Sequence, residues 1–235
     1  MLPRKAIGAF LVLACVAGFG ACAKTYQAGG SGKAEPSGFL SDYSILREGA
    51  EGEAMLVYRI EDKAKWATYR KIMIPRVQVW KSIERGMEMQ DAQYLSSNLW
   101  SQLDAELRKD YQITTQPGPG VLRFEVAITE AGKSRPILDL VTTVQPVGRV
   151  GSEAKRMAAG TESFVGVASV EARITDSLSG ELLAAAVDRR GGGKYATKGF
   201  ARWADVEEAF AFWAKQARWR LCLQRGGENC QKPEA

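Results

Sequence analysis

Leu122, Phe124, Val126 and Ile128 alternate with Arg123, Glu125, Ala127 and Thr129. A period of two sends one set to a core and the other away from it, so this run predicts a half-buried strand. Phe164 to Asp176 repeats the pattern, with Ala168, Val170, Ala172 and Ile174 on one face. Asp176-Ser177-Leu178-Ser179-Gly180 then supplies turn residues and Glu181 to Asp188 returns, which predicts a hairpin. Met55 to Ile60 is a shorter β-type run. Tyr69 to Trp80 is longer and carries Ile72, Ile74, Val77 and Val79 around Pro75. Proline has no N–H for a ladder, so Pro75 marks an edge or a bulge.

The period changes at Leu95, Leu99, Leu103 and Leu107, which recur every four residues beside Trp100. They predict an amphipathic helix capped by Asp91 and running to about Lys109. A second helix is expected near the C-terminus, opened by an Asp205–Glu208 capping box. Its buried face is Val206, Phe210, Trp213, Ala217 and Leu221; Phe212 and Trp219 fall on another face, available to a loop or a partner. Pro117-Gly118-Pro119-Gly120 is a turn. Gly38 to Leu46, with Phe39, Leu40 and Tyr43, reads as an extended strap laid over the domain. Ala131 to Glu162 is a long crossover, apolar from Ile137 to Val144 and with helical turns over Ser152 to Ala159. Connections of that length on a compact domain serve a function or are covered by something. The order of elements predicts an α+β fold: an antiparallel or mixed sheet with two long helices packed on one face.

The front end changes the picture. Arg4 and Lys5 precede an uncharged run from Ala6 to Phe19, too short to span a bilayer but fitting a secretory signal. Phe19-Gly20-Ala21-Cys22 resembles the bacterial lipobox, with Phe19 in place of its commoner Leu. The resemblance implies diacylglyceryl transfer to the Cys22 thiol, cleavage before it, and acylation of the new amine. Two or three acyl chains anchor stably where one is marginal. Ala23 at the next position resembles a signal for the outer membrane. The expected domains are a lipoprotein signal peptide over 1–21, a lipid-anchored flexible linker over 22–37, one α+β domain over 38–223 and a C-terminal tail over 224–235. The expected location is the bacterial outer membrane, facing the periplasm.

Composition mostly excludes. The formal charge of +5 includes two cations that leave with the signal, so no nucleic-acid partner is called for. The chain has no histidine, which removes Ser-His-Asp and Cys-His chemistry and the usual zinc ligands together. No metal or cofactor is expected. Gly191-Gly192-Gly193-Lys194 has the look of a phosphate loop, but Tyr195 stands where a Ser or Thr must meet Mg²⁺. Asp139, Glu153, Glu162, Glu171, Asp176 and Asp188 are carboxylates that no spacing pairs into an acid and a base. Cys222 and Cys230 are eight apart at the end of the last helix; in an exported protein they are most simply a disulfide, the alternatives being free thiols or a redox pair without Cys-x-x-Cys spacing. Arg189, Arg190, Lys194, Lys198 and Arg202 interleave with Tyr195, Phe200 and Trp203, uninterrupted by acid. Together they form a candidate surface for anionic sugars, lipid headgroups or a partner protein; the plainer reading is a solvated loop whose Trp203 enters the core.

Gly38-Phe39-Leu40-x-Asp42-Tyr43-x-x-Leu46, Pro117-Gly118-Pro119-Gly120-Val121-Leu122, Phe164-Val165-Gly166-x-Ala168-x-Val170-Glu171, Thr175-Asp176-x-x-x-Gly180-Glu181 and Asp188-Arg189-Arg190 occur in this order behind the lipobox. Together they resemble a family of bacterial lipoproteins of unknown function (domain of unknown function 3313). The resemblance implies an envelope lipoprotein and carries no activity, cofactor or catalytic residue. The helix-then-hairpin layout is also similar to the periplasmic domains of curli-secretion lipoproteins and of lipoproteins that activate cell-wall synthases. The expectation is a membrane-tethered structural or accessory module with an envelope protein or cell-wall glycan as partner. The alternatives are a small-ligand or peptidoglycan binder and a carboxylate-dependent hydrolase.

Overall fold

The computed structural model describes residues 25–28, 36–80, 86–132, 166–192 and 202–234. The signal segment, Cys22, most of the 131–162 crossover and residues 193–201 lie outside these.

The described elements run β1 (Tyr26–Gln27), β2 (Arg47–Glu48), β3 (Leu56–Arg59), α1 (Lys63–Trp66), β4 (Lys71–Met73), β5 (Gln78–Val79), α2 (Met89–Leu107), β6 (Gln112–Ile113), β7 (Val121–Ala131), β8 (Val167–Asp176), β9 (Leu182–Gly191) and α3 (Ala204–Gln224). The fold is α+β, built on a mixed nine-stranded sheet whose main path is β2-β3-β9-β8-β7-β4-β6, with β1 added on β9 and β5 on β7. The β8–β9 hairpin turns at Gly180, whose φ of 73° belongs to the left-handed region that glycine enters without a Cβ penalty. β4 and β5 both run parallel to β7, and Pro75 falls in the gap between their ladders. That gap resolves the proline: it sits where no ladder bond is required.

Strand alternation sorts the side chains into two clusters. Even positions of β7 and β8 (Leu122, Phe124, Val126, Ile128, Ala168, Val170, Ile174) join Leu95, Leu99, Leu103 and Leu107 of α2 and Val206, Phe210 and Trp213 of α3. Odd positions face the other way, where Ala127, Ala185 and Val187 meet Phe39 and Leu40. Thr175 pairs with Leu182 but Ile174 with Ala184, so Leu183 is an inserted residue and turns to the first cluster.

Segment 37–46 is a packing strap. Phe39 and Trp80 meet edge to face at 5.7 Å. The Tyr43 hydroxyl donates to Glu171 Oε2 (2.5 Å) and accepts from Gly38 N (3.0 Å). Glu171 is 1% exposed, so the strap supplies the partner that a carboxylate buried mid-sheet needs.

Three local expectations are corrected. Tyr26–Gln27, placed by composition in a flexible linker, forms a strand on β9 opposite Gly191 and Arg190. Asp91 is not the cap of α2. The helix opens at Met89 behind Glu88, and Asp91 is buried in its first turn, paired with Arg202 Nη1 at 3.3 Å and with Trp203 Nε1 at 3.4 Å. Nor does Asp205 cap α3. It lies in the first turn behind Trp203 and accepts from Gly166 N at 3.1 Å, tying the helix to the start of β8. In each helix a tertiary partner takes the carboxylate that local spacing assigned to a cap.

Candidate ligand-binding cavity

A cavity of about 160 Å³ lies between the sheet and α3. Its floor follows from the strand pattern. Ala172 pairs with Ala186, and Ile174 with Ala184, so neighbouring strands present small side chains on the helix-facing side. Ala217 of α3 lines the same space. These central-strand alanines remain part-exposed although they sit mid-sheet, because they line the cavity. Leu99, Leu103, Phe124, Val126 and Trp66 complete an apolar wall.

Polar groups gather along the lining. Glu53 accepts from Arg59 Nη1 (2.7 Å) and from Ala50 N (2.9 Å), and pairs with Arg220 Nη1 (3.0 Å). Burial alone would raise the Glu53 carboxyl; the Ala50 N–H and the Arg220 and Arg59 guanidiniums outweigh it and hold the group below its ordinary range. Arg220 Nη2 and Gln216 Nε2 both donate to Gly52 O, at 3.0 and 3.1 Å. Arg220 Nε is a buried N–H that meets no acceptor. Arg59 Nε lies 3.3 Å from Glu61 Oε1 without hydrogen-bond geometry.

Asp188, also in the lining, is a structural knot. Its oxygens accept from Gln27 Nε2 (2.8 Å), Met55 N (3.1 Å) and Trp213 Nε1 (2.7 Å). Burial pushes its carboxyl up, against the pull of those donors and of Arg190. The contacts join β1, the loop before β3 and α3 to β9, and leave the carboxylate little freedom to move a proton.

The sequence-derived surface divides. Arg190 is 4% exposed: its Nε donates to Thr25 Oγ1 and its Nη2 to Thr25 O, both at 2.7 Å, and its guanidinium lies 3.6 Å from the centre of the Phe212 ring. Trp203 is 5% exposed and packs in the main core, which is the plainer of the two readings made for it. Neither is open to a partner, because both are held by β1, α2 or α3. Arg189 pairs with Glu130 at 2.9 Å; Arg202 is exposed and pairs with Asp91. Lys194, Tyr195, Lys198 and Phe200 lie outside the described residues, as does the lipidation candidate Cys22. Cys222 and Cys230 form a disulfide.

Sequence reasoning placed Leu99, Leu103, Phe124, Val126, Ala172, Trp213 and Ala217 on buried faces but passed over Glu53, Arg59 and Arg220, the charged residues of the lining. Glu53 and Arg220 stand at opposite ends of the chain and share no motif. The run Ala184-Ala185-Ala186 was the one available signal: small residues in a central strand leave room above it. Among the described residues, no group of histidine, cysteine or carboxylate side chains is placed to hold a metal ion.

No curated protein matches the sequence. Among solved structures, the PelC dodecamer from Paraburkholderia phytofirmans is 13% identical, with 69% of this chain and 91% of that chain covered and a TM-score of 0.36. A putative neuraminyllactose-binding hemagglutinin homolog from Helicobacter pylori is 10% identical, with 69% and 84% covered and a TM-score of 0.30. The profile described as "Protein of unknown function (DUF3313)" matches residues 35–217, and the chain belongs to that family.

Proposed function

We propose that this chain is a lipid-anchored binding module of the bacterial cell envelope, tethered through Cys22 to the outer membrane and facing the periplasm, that holds a small ligand without transforming it. The observation that carries the reading is the cavity under α3, with its apolar wall and a few convergent polar groups. Its carboxylates favour holding over chemistry. Glu53 is kept ionised between two guanidiniums, and Asp188 has its oxygens engaged by structural donors. An acid–base pair needs one group free to give a proton and one free to take it.

The accessory-module reading, with an envelope protein as partner, has a candidate surface in the 189–203 segment. The burial of Arg190 and Trp203 removes two of its members, so the cavity is the better supported site.

The test is to isolate the full-length protein from its native envelope, denature it, and identify by mass spectrometry the small molecules released. Ala186→Leu, which fills the cavity floor, is the control. A molecule released near stoichiometry by wild type and absent from Ala186→Leu supports the reading. The same profile from both proteins contradicts it.

A further inference from the structure

We infer that the cavity under α3 takes an amphiphilic anion: an apolar tail of roughly six carbons seated on the alanine floor, with a carboxylate-type head held by Arg220 and Arg59. This rests on the binding reading above and names its ligand class.

Volume and lining set the tail. The space of about 160 Å³ is similar to engineered apolar cavities that admit a benzene ring. Ala172, Ala184, Ala186 and Ala217 offer no hydrogen-bond partner, so a polar tail such as a sugar would leave its hydroxyls unpaired there.

Charge sets the head. The two guanidiniums share one buried carboxylate, Glu53, and Glu61 adds a second that is largely solvent-exposed. Water screens the exposed Glu61, so the less exposed charges at this end are two guanidiniums and one carboxylate. Arg220 Nε also keeps a buried N–H without an acceptor, in a side chain whose other nitrogens are engaged by Glu53 and Gly52. A carboxylate that reached it through a small shift of the Arg220 side chain would satisfy it with a charge-assisted hydrogen bond. A neutral head would satisfy it more weakly, and a cationic head would be repelled. At the inner end the Asp188 oxygens are taken up by Gln27, Met55 and Trp213.

The experiment is calorimetric titration of the full-length chain carrying Cys22→Ala, so that no acyl group of its own competes. The probes are straight-chain carboxylates from butanoate to decanoate, with 1-octanol as the neutral counterpart of octanoate. Affinity should rise roughly fourfold per methylene and level off once the cavity is full. Octanoate should bind at least about tenfold more tightly than 1-octanol, and Arg220→Gln should erase that difference. Ala186→Leu should abolish both. Equal binding of octanoate and 1-octanol overturns the anionic head but leaves a cavity that binds apolar ligands. Binding of neither, by a wild-type chain with a cooperative melt, overturns the proposed binding function as well. Octanoate binding that survives Ala186→Leu places the anion elsewhere and overturns the assignment. The wild-type comparison decides the head group even where a variant folds poorly.

Discussion

At the residue scale, stability rests on a few buried charges whose partners come from distant segments. Removing Asp188 would strand the Trp213, Gln27 and Met55 donors at once. Asp188→Ala should therefore cost about 3 kcal/mol of unfolding free energy, read from the urea midpoint. Tyr43→Phe removes the strap's hydroxyl from buried Glu171 and should cost about 1–3 kcal/mol by the same measurement. The acid response has a calculable sign. Burial raises Glu125, but Arg173 and Arg123 overcome it and leave the carboxyl below its ordinary range, as the Ala50 N–H, Arg220 and Arg59 do for Glu53. Such groups add stability above their unfolded pKa and lose it as pH falls through the folded value. Asp188 is shifted the other way, so its contribution is largest in acid and declines as pH climbs past the ordinary aspartate value. Urea midpoints over roughly pH 3–6 should fall toward acid, less steeply in Glu53→Gln and Glu125→Gln and more steeply in Asp188→Asn.

At the element scale, α3 and the tail behind it carry the site, since Trp213, Gln216, Ala217 and Arg220 all sit on that helix. The Cys222–Cys230 disulfide closes a short loop after its last turns and brings Lys232 over Trp219. Replacing both cysteines by serine should lower stability by about 2–3 kcal/mol in the chain-entropy view, with a lower thermal midpoint as the readout. The start of α3 is held differently. A Cβ on Gly192 would come within 2.3 Å of the Asp205 carboxylate carbon, so Gly192→Ala should destabilise through that contact. Strand alternation made β7 and the β8–β9 hairpin legible, and a four-residue leucine repeat did the same for α2. The caps were not legible, because Asp91 and Asp205 answer to Trp203, Arg202 and Gly166 and not to their own helix ends. Tyr26–Gln27 was missed for a similar reason: a polar stretch pairs with β9 only once Thr25 is needed by Arg190.

At the scale of the whole molecule, the domain is a sheet with two unlike faces. One is closed by a strap through Phe39, Leu40 and Tyr43; the other meets α2 and α3 across a core that stops short of filling the space above Ala172 and Ala186. The family was legible from ordered short motifs, whereas the cavity was not, since its charged end brings together Glu53, Arg59 and Arg220 from separate parts of the chain. For the tether, metabolic labelling with an alkyne palmitate should mark wild type and not Cys22→Ala. The most direct test of the cavity is a ¹³C-methyl alanine spectrum of the full-length protein from its native envelope, recorded before and after extraction of bound small molecules. The expected result is a change confined to the methyls of Ala172, Ala184, Ala186 and Ala217, reversed when the extract is added back. Unchanged methyls at those positions, with a change elsewhere or none, would contradict it.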